Sequence, residues 1–288
     1  MSGARPGPGR IVFGLFLRHL RRTAQLTLGA VASRSGMAQT TVSRIERGLV
    51  RARWEKVVLL CELYGVPAGS GEEFAGAWTL GVSAGTAVRD SGALWEGRLA
   101  AVEHSTCLTL SYCRDLLPSE LRTPRYAHAV QPGTAPPGFT RPDVLGRTRP
   151  VVVLDAAVLT RPVGGPEVFA EQLAALTRAV YERRIDLRVL TADASRQAGE
   201  PGPGLSQRRI PNTSSLLYAE EDRDGVTYTC GRTTGVEHGG FLSALVARAA
   251  SGSESLDLLE RAALAASDAV RTRYVPLLRP TDTAVNGI

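Results

Sequence analysis

A run of polar side chains between residues 39 and 47 has the chemistry needed to contact DNA. Four of them could hydrogen-bond to base edges: Gln39, Thr40, Ser43 and Arg44. Glutamine can form two hydrogen bonds to adenine, arginine can do the same with guanine, and threonine offers a hydroxyl or a methyl contact to thymine. Arg47 adds a positive charge to this set. The run therefore predicts a surface that binds DNA in the major groove.

The residues around this run have the spacing of a helix-turn-helix, which would place the polar side chains on one face. Small or apolar residues follow one another at intervals of four, six and three positions: Ala32, Gly36, Val42 and Ile45. Val42 and Ile45 share one face of the second helix, and Ala38 and Leu49 extend that apolar stripe. Gly36 supplies the left-handed conformation that ends the first helix. The polar face is then free to enter a groove.

Further helical patterns surround the motif. An amphipathic helix precedes it over residues 11–24, with an apolar stripe that includes Phe13 and Leu17. Thr27 is a suitable N-cap for the first helix of the motif. Two more helices are predicted at Trp54–Tyr64 and Glu72–Leu80. The sequence thus predicts an all-α domain of five helices over residues 11–80, preceded by a disordered basic arm at residues 1–10.

Positive charge is concentrated in this part of the chain. The first 60 residues contain eleven Arg and Lys residues and two Glu, a formal charge of +9, whereas the remaining 228 residues sum to −3. A run of charge is usually a solvated helix face, but here it coincides with the helix-turn-helix. The distribution favours contact with a local polyanion.

Residues 13–80 resemble the lambda-repressor/Cro-like, or Xre-type, DNA-binding domain. The resemblance depends on the segments LRHLR, LT and VASRSGMAQTTVSRIERG. It implies that the helix starting near Ala38 reads bases, with Gln39 and Thr40 at the main positions and Ser43 and Arg44 one turn later. The residues suited to contact phosphates are Thr27, Thr41, Arg47 and Arg51. The family also pairs an arginine on the first helix with a glutamate near the end of the recognition helix, which here are Arg21 and Glu46.

Two positions depart from that pattern. Gln25 stands where the family usually has glycine, and a left-handed glutamine would cost on the order of 1 kcal/mol. Leu28 stands where the family usually has a glutamine that reaches the DNA backbone. Leucine cannot make that contact, so DNA affinity is expected to be lower than in relatives that match the pattern better.

A different pattern begins after a predicted linker at residues 81–92. Helices alternate with short apolar strands over residues 93–274, which predicts an α/β or α+β domain. The predicted strands are Cys107–Cys113, Val151–Leu154, Leu187–Leu190, Ser214–Ala219 and Val226–Cys230. Residues 197–205 are predicted to form a loop, and residues 275–288 a loose tail.

Roughly residues 90–270 resemble an uncharacterised domain of actinobacterial regulators that follows an Xre-type domain. Three segments match it in order: LLPSELRTPRYAHAV, VVVLDAAVLTRPVGGPEVFAEQLAAL and IDLRVL. Such regulators often sit beside genes for small acidic partner proteins, so the resemblance implies a sensor of a ligand or a docking site for such a partner. Ala156 and the Tyr228–Cys230 segment lack acidic residues that are common there.

The sequence gives little support for catalysis, metals or membranes. The acid–base candidates have no catalytic or metal-binding spacing: Asp155, Asp186, Asp193, Glu237 and His238. The four cysteines show no C-x-x-C motif, which favours reduced thiols. No apolar stretch approaches the ~18 residues of a membrane span, and no signal peptide is evident. We therefore expect no enzyme activity, metal or cofactor.

These patterns lead to one main hypothesis and one alternative. The main hypothesis is a cytoplasmic transcriptional regulator, associated with the nucleoid when bound to double-stranded DNA and acting as a homodimer. The alternative is a protein-interaction module, the regulating half of a two-gene pair, with weak or partner-dependent DNA binding. Gln25 and Leu28 favour the alternative.

Overall fold

A computed structural model of the chain describes residues 6–66, 71–83, 85–92, 95–130, 149–197, 204–211 and 215–274. Its N-terminal part consists of the helices α1 (Pro8–Thr23), α2 (Leu28–Ser35), α3 (Gln39–Glu46), α4 (Trp54–Leu63) and α5 (Gly71–Val82). Thr27 caps α2, since its hydroxyl accepts the Ala30 N–H at 3.1 Å. Gly36 ends α2 in the left-handed conformation with φ 65°. The predicted helix-turn-helix order is present.

The core of this helical domain lies between α1, α2, α3 and α4. It includes a set of fully buried aliphatic side chains: Leu17, Val31, Val42, Val57 and Leu60. The predicted apolar stripe of α3 is shorter than expected, because only Val42 and Ile45 are buried. Ala38 is exposed, and Leu49 is 41% exposed because α3 ends at Glu46 and the chain then turns at Gly48.

The described part of the C-terminal region contains one seven-stranded mixed sheet. Its strands are β1 (Ala87–Asp90), β2 (Cys107–Cys113), β3 (Val151–Asp155), β4 (Asp186–Leu190), β5 (Gly204–Arg209), β6 (Leu216–Glu221) and β7 (Val226–Cys230). The spatial order is β1-β7-β6-β5-β2-β3-β4. β2, β3 and β4 are parallel, whereas the pairs β1–β7, β7–β6, β6–β5 and β5–β2 are antiparallel. The predicted fold class, a helical domain followed by an α/β region, is confirmed.

Helices cover both faces of the sheet. They are α6 (Trp95–Ser105), α7 (Pro124–Val130), α8 (Pro166–Tyr181), α9 (Ala192–Gln197), α10 (Arg232–Arg248) and α11 (Gly252–Tyr274). On one face, α8 and α11 cover β3 and β4, and α1 and α6 cover β6 and β7. On the other face, α10 packs over Tyr112, Val153 and Tyr218. The face assignments follow the alternation of side chains along each strand.

The N-terminal arm is shorter than predicted. Helix α1 already begins at Pro8, whereas the sequence predicted disorder through residue 10. Proline is favourable in the first helical turn because the N–H that it lacks would have no helical partner there. Residues 1–5 of the predicted arm and the predicted tail at residues 275–288 lie outside the described residues.

The predicted linker at residues 81–92 contains parts of both neighbouring regions. It includes the end of α5 and all of β1, which pairs with β7 at the edge of the sheet. Asp90, the last residue of β1, also forms a fully buried ion pair with Arg98 of α6, at 2.6 Å. The strand β7 and Arg98 both lie outside the predicted linker, so its local pattern of small and polar residues could not reveal the strand. Similarly, Gly204–Arg209 forms β5 where the sequence predicted a loop to residue 205.

Candidate nucleic-acid interface

The exposed face of α3 contains the residues predicted to read bases. Gln39, Thr40 and Arg44 are exposed, and Ser43 is half-buried. On the opposite face, Val42 is fully buried and Ile45 is 4% exposed. Burial of one face thus fixes the rotation of α3 about its axis and leaves the other face available for a groove.

The residues predicted to contact phosphates lie around this face and differ in their contacts. Thr41 and Arg47 are exposed. Thr27 lies near Gln39, since a side-chain Cβ at Gly29 would be 3.9 Å from Thr27 Oγ1 and 4.0 Å from Gln39 Oε1. Arg51 is also exposed, and its Nη2 donates to the carbonyl oxygen of Val82 at the end of α5, at 2.9 Å. That bond satisfies a helix C-terminal carbonyl and directs the guanidinium towards α5.

A buried ion pair holds the end of α3 against α1. Arg21 Nε lies 2.6 Å from Glu46 Oε1, and Arg21 Nη2 lies 2.9 Å from Glu46 Oε2. Arg21 Nη1 also donates to the carbonyl oxygen of Leu26 at 2.7 Å. This two-pronged geometry fixes position and angle together. The predicted structural pair is therefore present, and neither side chain faces the exposed surface of α3.

Two glycines let α1 approach the C-terminal end of α3 at backbone distance. A Cβ at Gly14 would lie 2.7 Å from the carbonyl oxygen of Glu46, and one at Gly48 would lie 2.8 Å from that of Arg10. Gly48 also has φ 67°, so both its conformation and its surroundings require glycine. A shift of α1 would consequently move the end of the recognition helix.

Gln25 occupies the left-handed region, with φ 59°, at the turn between α1 and α2. A Cβ in this region is strained, so Gln25→Gly is expected to raise the free energy of unfolding by up to about 1 kcal/mol. Urea unfolding of the two proteins measures this difference. Gln25→Ala is the control, because it keeps the Cβ and should bring no gain. Equal stabilisation by both substitutions would contradict a backbone origin.

Helix α1 also packs against the sheet through its second face. Its residues Ile11, Val12 and Leu15 are buried in one cluster with Trp95 and Leu99 of α6 and with residues of β6 and β7. The neighbouring positions Phe13 and Leu17 belong instead to the core of the helical domain. One helix is therefore part of both cores.

The contact between α1 and α6 includes two histidine rings. His19 and His104 have ring centroids 4.8 Å apart. Burial, followed by the nearby His104 and Arg22, lowers the pKa of His19 from 6.5 to about 4. As the pH falls from about 6.5 to about 4, the unfolded chain binds a proton at this residue and the folded chain does not. The contribution of neutral His19 to stability is thus complete above that window and lost within it.

We expect unfolding experiments between about pH 7 and 4 to show this loss in the native chain. His19→Phe should flatten the pH dependence in that window. His128→Gln, a substitution at an exposed histidine of α7, should leave it unchanged. A pH dependence that survives in His19→Phe would assign it to other groups.

Comparison with known families finds two matches along the chain. Residues 12–74 match a family described as a helix-turn-helix domain. Residues 97–261, more than half of the chain, match the family described as a domain of unknown function, DUF5753. The chain belongs to the DUF5753 family. No curated protein and no solved structure matches it significantly. The N-terminal match supports DNA binding and a role in transcription regulation.

The acid–base candidates of the DUF5753 region are not brought together in the structure. Asp155 caps a short 3-10 helix and accepts the Ser195 hydroxyl at 2.5 Å. Asp186 pairs with Arg188 of its own strand. His238 of α10 contacts Glu220 of β6, on the face of the sheet that α10 covers, at 2.7 Å.

The other two candidates lie on helices: Asp193 on α9 and Glu237, which is exposed, on α10. Among the described residues, no group of three His, Cys, Asp or Glu side chains could hold a metal ion. Within the same ranges, no helix is both long enough and apolar enough to cross a bilayer.

The DUF5753 region contains a buried cluster of charges that the sequence analysis did not identify. Arg208 of β5 is 2% exposed and pairs with Glu120 and, at 3.7 Å, with Glu103 of α6. Arg122 is 8% exposed and pairs with Glu221 at 2.8 Å. These residues are far apart in the chain and lie in segments of mixed polarity, so no local pattern distinguishes them from surface charges.

Proposed function

We propose that this protein is an Xre-type transcriptional regulator of the actinobacterial kind that binds double-stranded DNA sequence-specifically. The recognition helix, α3 with its flanks (residues 38–48), enters the major groove. The observation that supports this most strongly is the exposed polar face of α3, held from behind by the Arg21–Glu46 pair. Gln39, Thr40, Ser43 and Arg44 then contact bases.

The proposed regulator acts in the cytoplasm as a homodimer and is associated with the nucleoid when bound. Two recognition helices about 34 Å apart would contact successive major grooves on one side of the duplex. Thr27, Thr41 and Arg47 contact phosphates and set the register. The DUF5753 region has no catalytic role in this proposal. It senses a ligand or docks a small acidic partner protein, and α1 transmits the effect because it belongs to both cores.

Selection of random duplex DNA with the full-length protein tests this function. We expect an enriched palindromic motif, and the double substitution Gln39→Ala/Thr40→Ala should lose preference at the contacted positions, by about 1–3 kcal/mol per contact. Arg47→Ala should weaken binding to all sequences alike and reduce the slope of log affinity against log salt by about 1.

Arg178→Ala is the matched control, because it removes an equal charge from an exposed site on α8. It should leave both affinity and base preference unchanged. Equal losses for the Gln39/Thr40 and Arg47 variants on selected and random DNA would show that the assigned roles are wrong.

A second candidate function is an interaction module whose helical domain binds DNA weakly or only with its partner. The observation in its favour is Leu28 at the start of α2, which packs against the core of the helical domain and offers no polar group to the DNA backbone. Negligible DNA affinity of the purified chain, restored by a small acidic protein that co-purifies with it, would support this alternative over the first.

A further inference from the structure

A cavity of about 480 Å³ lies over β2, β5 and β6 in the DUF5753 region. Small residues stand in register across these strands, with Ser111 opposite Ser206 and Ser206 opposite Ala219. Cys113 belongs to the core under α8 and α11, and Ala219 to the core under α1 and α6. Both residues line the cavity, which therefore lies where the two cores meet. Its volume is within the ~300–1,000 Å³ range of small-molecule sites.

The buried charges around the cavity are already paired, whereas Arg223 and Asp224, which also line it, are exposed. Among its lining residues, Arg122 pairs with Glu221 at 2.8 Å, and the buried Arg208 pairs with Glu120. Nearer the surface, two further pairs are formed: Arg161–Asp115 at 2.7 Å and Arg89–Asp222 at 2.6 Å. A charged ligand would have to break such a pair or enter without a counter-charge, which is costly in a buried site. The site therefore suits an uncharged molecule.

Two buried hydrogen-bonding groups that line the cavity have no partner among the described residues. They are Ser111 Oγ, in a residue that is 1% exposed, and Arg208 Nε, in a residue that is 2% exposed. The Ser111 hydroxyl lies near the Cys113 thiol and slightly offsets the rise that burial causes in the pKa of that thiol, but a thiol is a weak partner. Arg208 Nε can only donate, and Ser111 can donate as well. A single acceptor oxygen would suit both.

We propose that this cavity binds a small, uncharged, largely apolar molecule with a carbonyl or hydroxyl oxygen. The oxygen faces Ser111 and Arg208, and the apolar part packs on Leu117 and Ala219. The identity of the cavity as an effector site rests on the proposed function, in which the DUF5753 region senses a ligand. Arg208 connects the site to α6, since its Nη2 lies 3.7 Å from Glu103, and α6 packs on α1.

The probe for this proposal is prodan, an uncharged naphthalene ketone. Its emission shifts to the blue in apolar surroundings and to the red when its carbonyl accepts a hydrogen bond. Titrated into the full-length protein, it should show saturable binding at one site. The anionic naphthalene dye 1-anilinonaphthalene-8-sulfonate should not displace it, because the two arginines in the buried part of the cavity, Arg122 and Arg208, are already paired with glutamates.

Two substitutions locate the probe. Ala219→Leu fills the cavity and should weaken prodan binding about tenfold or more, which corresponds to about 1.4 kcal/mol. Ser111→Ala removes one unpartnered hydroxyl, so it should keep or raise the melting temperature. The same variant should weaken prodan binding and shift the bound emission further to the blue. Ser111→Ala therefore tests whether prodan binds in the cavity even if Ala219→Leu fails to fold.

Leu264→Gln is the matched control, because Leu264 is a 65% exposed apolar residue of α11. Binding lost in this variant and kept in Ala219→Leu and Ser111→Ala would overturn the proposal in favour of surface adsorption. Absence of saturable binding would overturn it in favour of a cavity filled by water, and displacement by the anionic dye would overturn the uncharged class. If the protein binds DNA but not prodan, the result contradicts only the proposed cavity site. If it binds prodan but not DNA, the result contradicts only the proposed function.

Discussion

Replacing Glu46 by glutamine is expected to lower the free energy of unfolding by about 3–5 kcal/mol. The substitution leaves Arg21 charged in a place where the side chains of the pair are 10% and 4% exposed and where two short hydrogen bonds now compensate that charge. Urea unfolding monitored by far-UV circular dichroism measures the loss. DNA binding should fall with it at a fixed temperature, because the pair joins α1 to the end of the recognition helix.

The chain contains an exposed pair for comparison. Arg125 and Glu171 lie 3.1 Å apart, but their side chains are 60% and 40% exposed. Glu171→Gln should therefore change stability by less than about 1 kcal/mol. In the double variant Arg21→Met/Glu46→Leu, most of the lost stability should return, since no buried charge remains. A loss for Glu46→Gln as small as that for Glu171→Gln would show that the buried pair contributes no more than a surface pair.

Leu15→Ala is expected to destabilise the helical domain, although Leu15 packs against the sheet and not in the core of that domain. Removing this 3% exposed side chain should cost about 2–5 kcal/mol. Because α1 belongs to both cores, the loss should move the unfolding of both regions to lower denaturant concentration together.

Tryptophan fluorescence can separate the two regions. The chain has three tryptophans, of which Trp54 and Trp78 pack edge to face in the helical domain and Trp95 lies in the cluster of Leu15. In a Trp95→Phe background, fluorescence reports only the helical domain, and circular dichroism reports the whole chain. Leu15→Ala should shift both transitions equally, whereas Leu264→Ala, at an exposed site of α11, should shift neither. A fluorescence transition that stays in place would show that the two regions unfold independently.

Much of the helical domain could be predicted because its determinants are local. The 3.6-residue period places Val42 and Ile45 on the face opposite Gln39 and Thr40, and burial follows that division. Gly36 and Gly48 have the positive φ values that their positions at helix ends indicate. The Arg21–Glu46 pair was predicted only through the resemblance to a family, since nothing local joins residues 25 positions apart.

The second role of α1 was not predicted, although the sequence contained a signal for it. Residues 11–17 read IVFGLFL, which is apolar around the whole helix and not along one stripe only. Such a helix is buried on all sides. The amphipathic interpretation used only the stripe that includes Phe13 and Leu17, and so it overlooked Ile11, Val12 and Leu15.

The sequence alone determined the helices, their caps and the exposed polar face of α3, because periodic patterns and turn residues act within a few positions. Only the tertiary structure decided that β1 and β5 are strands, that α1 joins two cores, and that Arg208 and Ser111 meet at one cavity. Strand pairing and buried ion pairs depend on complementarity between segments that are far apart in the chain. Each segment by itself is compatible with a surface loop, and its burial is fixed only when the distant partner is in place.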